Sequence, residues 1–257
     1  PYPTLFRPPS SRATRPARAT RVTVVTVALV LLLLASVTLA ITVGPTNITP
    51  AEVWGSVLHH LGFGTSPLPE LRDGIVWQLR LPRVLTAAAV GAGLAVSGAV
   101  MQAVTRNPLA DPYLLGLSSG ASLGAVAVLL LGAAVLLPVA AFLGAMLALG
   151  LTLLLANSLG RITPSRTVLA GIAVSALASA ITSLVIFWTV TGDSYREILN
   201  WLLGSLAGAR WPEVGIAFAA ILIAGVPSLL SGRSLDGSGF GDVSAASIRG
   251  NVQRARW

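Results

Sequence analysis

The sequence predicts an all-α membrane protein, a polytopic bundle of about six transmembrane helices, and three observations support this. Of its 257 residues, 54% are hydrophobic and only 10% are charged, with a mean hydropathy of +0.81. The apolar residues form separate runs of about 20 residues, the length that a helix needs to cross the hydrocarbon core. Most arginines lie between these runs. A soluble domain of this size would carry more charge.

The composition also excludes several kinds of function. All 17 basic residues are arginines, so a phosphate-binding loop that needs lysine is excluded. The absence of cysteine excludes disulfides, thiolate metal sites and thiol catalysis, and we expect neither a cofactor nor a metal site. The formal net charge of +8 would suit nucleic acid. The arginines instead follow the positive-inside rule, so we expect a lipid membrane and no nucleic acid as partner.

The N-terminal region divides into a tail and a first crossing. Residues 1–21 are rich in Pro, Ser, Thr and Arg and lack apolar periodicity, which indicates a disordered basic cytoplasmic tail. Val22–Val43 is an unbroken apolar run, longer than a signal-peptide core of about 7–15 residues. It therefore predicts a retained helix that runs from the cytoplasm outward. This helix opens a transmembrane domain over residues 22–231.

A short amphipathic helix is predicted on the outer surface after the first crossing. Thr49 is a good helix cap and Pro50 suits the first helical position, and the pattern continues through Leu61. His59 and His60 lie near its end. Adjacent residues on a helix point in different directions, so we interpret both as surface histidines rather than as ligands of one metal.

The second crossing is predicted to be central in the bundle. Pro82 fits the first turn of a helix, and Val84–Val104 contains no charge. Gly91 and Gly98 are among the small residues that let neighbouring helices approach closely in lipid. We therefore expect protein on most sides of this helix, followed by a cytoplasmic turn at Asn107-Pro108.

The remaining chain predicts four more crossings and two polar segments. An interfacial helix from Ser194 to Leu206 is expected to anchor through Trp201. Residues 232–257 are polar, glycine-rich and basic, which indicates a cytoplasmic segment. The four crossings are predicted at Leu114–Leu137, Pro138–Leu159, Val168–Val190 and Glu213–Leu230.

The fifth crossing carries hydroxyl groups at helical spacing. They form one stripe, made of Ser175, Ser179, Thr182 and Ser183. One interpretation is that they line a wet cavity. The other is that they bond to neighbouring helices or to their own backbone.

Residues 79–124 carry a resemblance to a known family. The motifs RLPR, GxGLAxSGxxMQ and NPLADPxxLGxSSGAS follow one another in this order. Together they resemble the FecCD/BtuC-like permease subunits of ABC importers for iron–siderophore complexes, haem and vitamin B12. A weaker likeness covers almost the whole chain, including WLLGSL at residues 201–206.

The resemblance implies a transport subunit rather than an enzyme. The expected cargo is an iron(III)–siderophore complex, with haem or cobalamin as the alternative. Expected partners are a separate ATP-binding subunit that hydrolyses ATP, a periplasmic or lipid-anchored substrate-binding protein, and a second permease subunit in a homo- or heterodimer. The location implied is the bacterial plasma (inner) membrane, with the N-terminus cytoplasmic. Members resemble one another through about ten membrane helices, so we expect a truncated chain.

The resemblance also implies roles for particular residues. Arg80 and Arg83 would receive carboxylates of the binding protein, although snorkelling to lipid headgroups is the alternative. A cytoplasmic gate would comprise two loops, Asn107, Pro108, Leu109 and Thr163, Pro164, Ser165, which are otherwise ordinary helix-connecting turns. The hydroxyl stripe would line the pathway. Contacts with the ATPase would involve Leu235, Gly241, Asp242, Ala245, Ile248, Gly250 and Asn251.

Three other functions stay open at this stage. A secondary transporter or channel usually carries ionisable groups within its crossings, whereas the interiors of the predicted crossings have none. A membrane-embedded enzyme would need a nucleophile and a base, and the predicted crossings provide serines without a base. The third alternative is an inactive truncated fragment.

Overall fold

The structure is a computed structural model that describes residues 15–133, 136–158, 160, 162–189 and 193–230. Regular structure in these residues is entirely helical. A π-helical turn, Ile75–Arg80, joins two of the α-helices, and a 3-10 turn, Pro112–Leu115, precedes another. The α-helices are α1 (Arg15–Thr42), α2 (Pro50–His60), α3 (Glu70–Gly74), α4 (Leu81–Thr105), α5 (Leu117–Leu130), α6 (Leu137–Ser158), α7 (Pro164–Thr189), α8 (Asp193–Leu203) and α9 (Trp211–Leu230).

The prediction of an all-α polytopic bundle is confirmed, but the six crossings are not alike. Among the described residues, five helices are long and apolar enough to span a membrane. They correspond to α1, the continuous helix from α3 to α4, α6, α7 and α9. The third predicted crossing, Leu114–Leu137, contains instead the 14-residue helix α5. At about 1.5 Å per residue this helix is shorter than the hydrocarbon core, which is about 30 Å thick.

Two glycines set the ends of α5. Gly116 and Gly132 have φ angles of 82° and 68°, a left-handed conformation that favours glycine. At the C-terminal end, the Ala133 N–H donates to the Val128 carbonyl over 3.1 Å and the Gly132 N–H to the Leu129 carbonyl over 3.1 Å. This pair of bonds forms a Schellman motif. Both glycines lie in an otherwise apolar run, so composition alone did not predict the helix ends.

Other predicted boundaries agree more closely. The cap at Thr49 is confirmed, since Glu52 Oε2 accepts the Thr49 N–H at 2.7 Å and Thr49 Oγ1 accepts the Glu52 N–H at 3.4 Å. These bonds form a capping box, with Pro50 as the first helical residue. Helix α1 begins at Arg15, so the last part of the predicted disordered tail is helical. The rest of the tail and the predicted ATPase-coupling segment lie outside the described residues.

The chain divides into two compact units. The first extends through Leu85 and includes Ala209–Val214, and the second comprises Thr86–Gly208 and the chain from Gly215 onward. In the first unit, Trp77 and Trp211 pack against an apolar core made of Ile41, Ile48, Val53, Leu68, Val76 and Leu81.

The second unit is organised around contacts among α5, α6 and α7. A Cβ atom added to Gly120 or Gly124 of α5 would collide with backbone carbonyl groups of α6, and one added to Gly144 of α6 would collide with the Gly120 carbonyl. The two backbones are therefore in direct contact, as small residues permit in lipid. Helix α8 packs at one end of this group through Ile198, which is completely buried.

Helix α4 does not have the surroundings that the sequence predicted. A Cβ atom added to Gly91 or Gly98 would meet no heavy atom within 4 Å. Gly93 comes closest to a neighbour, since its added Cβ would lie 3.6 Å from a side-chain carbon of Ile221 in α9. From Val90 to Thr105 the helix has no buried residue, so for the described residues the prediction of protein on most sides of α4 is wrong.

Candidate functional site

Arg80 is held by acceptors of its own chain. Its Nη1 atom donates to the carbonyl oxygens of Ile41, at 2.7 Å, and Thr42, at 3.3 Å. Its Nη2 atom donates to the carbonyl oxygen of Thr46, at 3.2 Å, and to Thr46 Oγ1, at 2.7 Å. The side chain is half-buried beside the C-terminal end of α1. Sequence reasoning missed these contacts because the partners lie almost 40 residues away along the chain.

Arg83 has a different environment from Arg80. It lies in the first turn of α4 and is exposed, whereas Pro82 beside it is buried. The structure therefore separates the two arginines that the sequence treated as a pair. A docking role for Arg83 stays a prediction, and the same role for Arg80 would require its guanidinium to leave the contacts with α1.

The first predicted gate loop begins as a helix C-cap. Arg106 has a φ angle of 53°, and its N–H donates to the Ala103 carbonyl at 3.4 Å. The next residue, Asn107, donates its N–H to the Gln102 carbonyl at 3.2 Å, which completes a Schellman motif. Asn107 Oδ1 then accepts the Leu109 N–H at 3.0 Å, and the Leu109 side chain is 85% exposed. The loop is thus fixed in shape and exposes one large apolar side chain.

The second predicted gate loop begins helix α7. Thr163 Oγ1 accepts the Arg166 N–H at 3.4 Å, and the Thr163 carbonyl accepts the Thr167 N–H at 2.9 Å. Pro164 is the first helical residue, a position that requires no N–H donor. These bonds are those of an ordinary helix start, so a gating role for Thr163, Pro164 and Ser165 stays a prediction.

The segment between the first gate loop and α5 packs against two helices of the second unit. Thr152 of α6, which is completely buried, donates its hydroxyl to the Leu115 carbonyl at 3.0 Å. Gly171 of α7 lies so close to the Leu114 carbonyl that an added Cβ would overlap it. The sequence predicted a continuous crossing here. The contacts instead fix the 3-10 turn against α6 and α7.

The hydroxyl groups of the α7 stripe differ from one another, because some are exposed and one is bonded to its own backbone. Thr182 is 6% exposed and donates to the Ala178 carbonyl at 2.8 Å, so it bonds to its own backbone. Ser183 is exposed and Ser175 is half-buried. Ser179 is exposed and its Oγ donates to Ser119 Oγ on α5 at 3.4 Å. The half-buried Ser119 therefore adds a hydroxyl group of α5 to this face, and the SSGAS motif that contains it was the signal in the sequence.

A cavity of about 450 Å³ lies elsewhere in the second unit. Its walls come from α4, from the 3-10 turn and from α9, and they are mostly apolar. They include Ser97 and Met101 of α4 and Ile221 and Ser228 of α9. None of the predicted pathway or gate residues lines this cavity.

These features define a multi-pass helical membrane protein in which α5, α6 and α7 pack together and carry several hydroxyl groups. The model of the FecCD transport family matches residues 31–257. Because this match covers most of the chain, the chain belongs to the FecCD transport family, and the resemblance seen in the motifs is confirmed.

Several proteins of known name are similar to the chain. A cobalamin import system permease from Halobacterium salinarum is 37% identical over 191 residues, which are 74% of this chain and 51% of that protein. An uncharacterized ABC transporter permease from Bacillus subtilis is 34% identical, over 87% of this chain and 65% of that protein. A vitamin B12 import permease from Vibrio cholerae is 33% identical, over 87% and 64%.

A solved structure has a similar fold. It is an inward-facing ABC transporter described as being of the metal-chelate type. The TM-score is 0.75 at 26% identity, over 91% of this chain and 70% of that chain. The chain thus spans between 51% and 65% of the length of the three curated relatives named above.

Proposed function

We propose that the chain acts as a permease subunit of an ABC importer that moves a bulky metal chelate across the bacterial plasma membrane, with the N-terminus in the cytoplasm. The observation that carries this proposal is the family match over residues 31–257. The exposed hydroxyl face of α7 and α5 supports it, because hydroxyl groups can hydrogen-bond a polar cargo without binding it as tightly as charges would.

Energy for transport comes from a separate ATP-binding subunit in this proposal. The chain has no lysine for a phosphate-binding loop. Contact with that subunit falls to residues 232–257, through Leu235, Gly241, Asp242, Ala245, Ile248, Gly250 and Asn251. A second permease subunit, identical or not, completes the passage.

Two cargo classes are in competition. The family resemblance favours an iron(III)–siderophore complex, with haem or cobalamin as the alternative. The names of two relatives refer to cobalamin or vitamin B12, which favours a corrinoid. All these cargoes are large chelates that carry some polar groups at their edges, so the same hydroxyl face could hydrogen-bond each of them.

Delivery and gating complete the proposal. The exposed Arg83 receives a carboxylate of the substrate-binding protein in a charge-assisted hydrogen bond. The loop with the exposed Leu109 and the start of α7 at Thr163 narrow the cytoplasmic end of the passage. Ser175, Ser179 and Ser183 face the cargo.

Uptake by proteoliposomes tests the proposal. The permease, its ATPase and its binding protein would be reconstituted and supplied separately with a labelled ferric siderophore, with cobalamin and with haem. The proposal predicts uptake of one class over the others that depends on ATP and on the binding protein. Uptake of none of the three under conditions in which the complex assembles would contradict it.

The hydroxyl face is tested in the same system. We expect Ser179→Ala to change the uptake rate about twofold to tenfold, as expected for the loss of one neutral hydrogen bond. The matched control is Ser36→Ala on α1, whose exposed hydroxyl donates to the Leu32 carbonyl of its own helix at 2.8 Å. Equal effects of both substitutions would refute a pathway role for Ser179.

A further inference from the structure

We infer that Arg80 is a positioning residue that closes the C-terminal end of α1, and that Gly44 is the residue that gives its guanidinium the room to do so. In its relation to docking, this inference rests on the proposed function. It assigns direct contact with the binding protein to Arg83, while Arg80 acts through the geometry of the first unit.

The C-terminal end of α1 needs hydrogen-bond donors from outside the helix. A helix leaves its last carbonyl groups without intrahelical partners. The natural donor for the Ile41 carbonyl would be the N–H of residue 45, but that residue is Pro45 and has none. The helix ends at Thr42, so the Thr42 carbonyl also needs a donor from elsewhere. Arg80 Nη1 lies 2.7 Å and 3.3 Å from these two oxygens.

The guanidinium of Arg80 matches the end of α1 in both charge and shape. The C-terminal end of a helix carries a partial negative charge, which a cation stabilises. A guanidinium presents a planar fork of donors and therefore can bridge several oxygens at once. Arg80 uses the other arm of this fork on Thr46, at 2.7 Å and 3.2 Å. One side chain thus joins the end of α1 to the segment that follows it.

The contacts of Arg80 lie next to the buried apolar core of the first unit. Ile41, whose carbonyl Arg80 contacts, and Ile48, just after the contacted segment, are 2% and 4% exposed. Leu81, directly after Arg80, belongs to the same apolar cluster. A half-buried carbonyl that loses its donor has a large free-energy cost. If the guanidinium turned outward to a partner, the Ile41 and Thr42 carbonyls would lose theirs.

Gly44 lies against the guanidinium of Arg80. A Cβ atom added here would overlap Arg80 Nη2 and lie 2.7 Å from Arg80 Cζ. The φ angle of Gly44 is outside the left-handed region, so its backbone conformation does not itself demand glycine. A side chain at this position would therefore have to displace the end of the Arg80 side chain. Gly44→Ala displaces the guanidinium without removing its charge, which separates the two possible roles of Arg80.

Hydrogen exchange of the permease in lipid nanodiscs tests directly whether Arg80 closes the C-terminal end of α1. We expect Gly44→Ala and Arg80→Gln each to accelerate amide exchange in residues 39–48 by about tenfold or more, the loss expected when hydrogen bonds to a charged group are broken. Arg80→Lys should give an intermediate acceleration, because an ammonium cannot bridge all four acceptors. The control is Arg72→Gln, which removes an exposed arginine of the same unit. Unchanged exchange in Gly44→Ala would overturn the inference.

Docking of the binding protein at several salt concentrations distinguishes a positioning role of Arg80 from direct contact between Arg80 and the partner. We expect Arg83→Gln to weaken binding and to reduce its salt dependence, since an ion pair with the partner is lost. Gly44→Ala and Arg80→Gln should weaken binding equally and leave the salt dependence unchanged. If Arg80 contacts the partner, Arg80→Gln will reduce the salt dependence of binding and Gly44→Ala will not weaken binding. These results would refute the positioning role of Arg80. Failure of the unmodified permease to bind would count against the proposed function, and the exchange experiment would still decide the role of Arg80.

Discussion

Two glycine-bearing regions of the second unit use the same residue in opposite ways. On α5 and α6, Gly120 and Gly144 bring two backbones into contact, and neither position has room for a Cβ atom. On α4, Gly91 and Gly98 face open space. A small residue in a membrane helix therefore indicates a capacity for close approach. Whether a neighbour uses that capacity is visible only in the structure.

The largest expected difference between these regions is in stability. We expect Gly144→Val to lower the free energy of unfolding by about 3 kcal/mol or more, because the new side chain collides with the backbone of α5 and the helices must separate. Gly91→Val should change it by less than about 0.5 kcal/mol, as for a surface substitution. Unfolding in mixed detergent micelles measures both. A similar loss in the two variants would break the comparison.

A buried hydroxyl in the packed region gives the next largest effect. Thr152→Val keeps the shape of the side chain but removes the donor to the Leu115 carbonyl, so we expect a loss of about 1–3 kcal/mol in the same unfolding experiment. Thr152→Ser is the matched variant, since it keeps the hydroxyl and should retain most of the stability. A loss in Thr152→Ser without a loss in Thr152→Val would show that the methyl group matters and the hydrogen bond does not.

Much of the fold was predictable because it depends on local pattern. The apolar runs located the long helices, and Thr49 with Pro50 located the start of α2. Contacts between distant residues were not predictable in this way. The four acceptors of Arg80 lie in a segment almost 40 residues earlier, and the hydrogen bond from Thr152 to Leu115 joins residues nearly as far apart. The interruption at Gly116 was hidden because glycine is also common inside membrane helices.

The site was less predictable than the fold for the same reason. Helical spacing placed Ser175, Ser179 and Thr182 on one stripe, but spacing does not show which hydroxyl already has a partner. The motif RLPR likewise put Arg80 and Arg83 together. Their different surroundings come from the end of α1, which lies far from the motif in sequence.

The hydroxyl stripe offers a comparison with a smaller effect. The Thr182 hydroxyl is already bonded to its own backbone, so we expect Thr182→Val to leave the uptake rate within about twofold of the unmodified permease. Ser183→Ala, on the exposed side of the same helix, should alter the rate by more, because its hydroxyl is free to meet the cargo in the proposed pathway. Uptake measured at saturating binding protein distinguishes them. A larger change for Thr182→Val would reverse the assignment.

The smallest predicted effect concerns pH and the start of α2. The Thr49 backbone N–H, and with it the Thr49 hydroxyl, lowers the pKa of Glu52 below its ordinary value, with Arg72 contributing less. A carboxyl group with a lowered pKa in the folded state stabilises it above its unfolded pKa, and this contribution is lost as the pH falls through the folded pKa. We expect the protection of α2 amides, taken relative to the intrinsic exchange rate at each pH, to fall slightly below about pH 4.5. Glu52→Gln should remove that pH dependence, and its persistence would contradict the assignment.

In the proposed function, this chain forms part of a passage that a separate ATPase must drive. The most direct test is uptake of the preferred chelate into proteoliposomes in which the permease is reconstituted with its ATPase, or with an ATPase unable to hydrolyse ATP, or alone. We predict accumulation only with the active ATPase, with binding protein and ATP present. Accumulation by the permease alone, driven by an ion gradient, would contradict the claim and would indicate a secondary transporter.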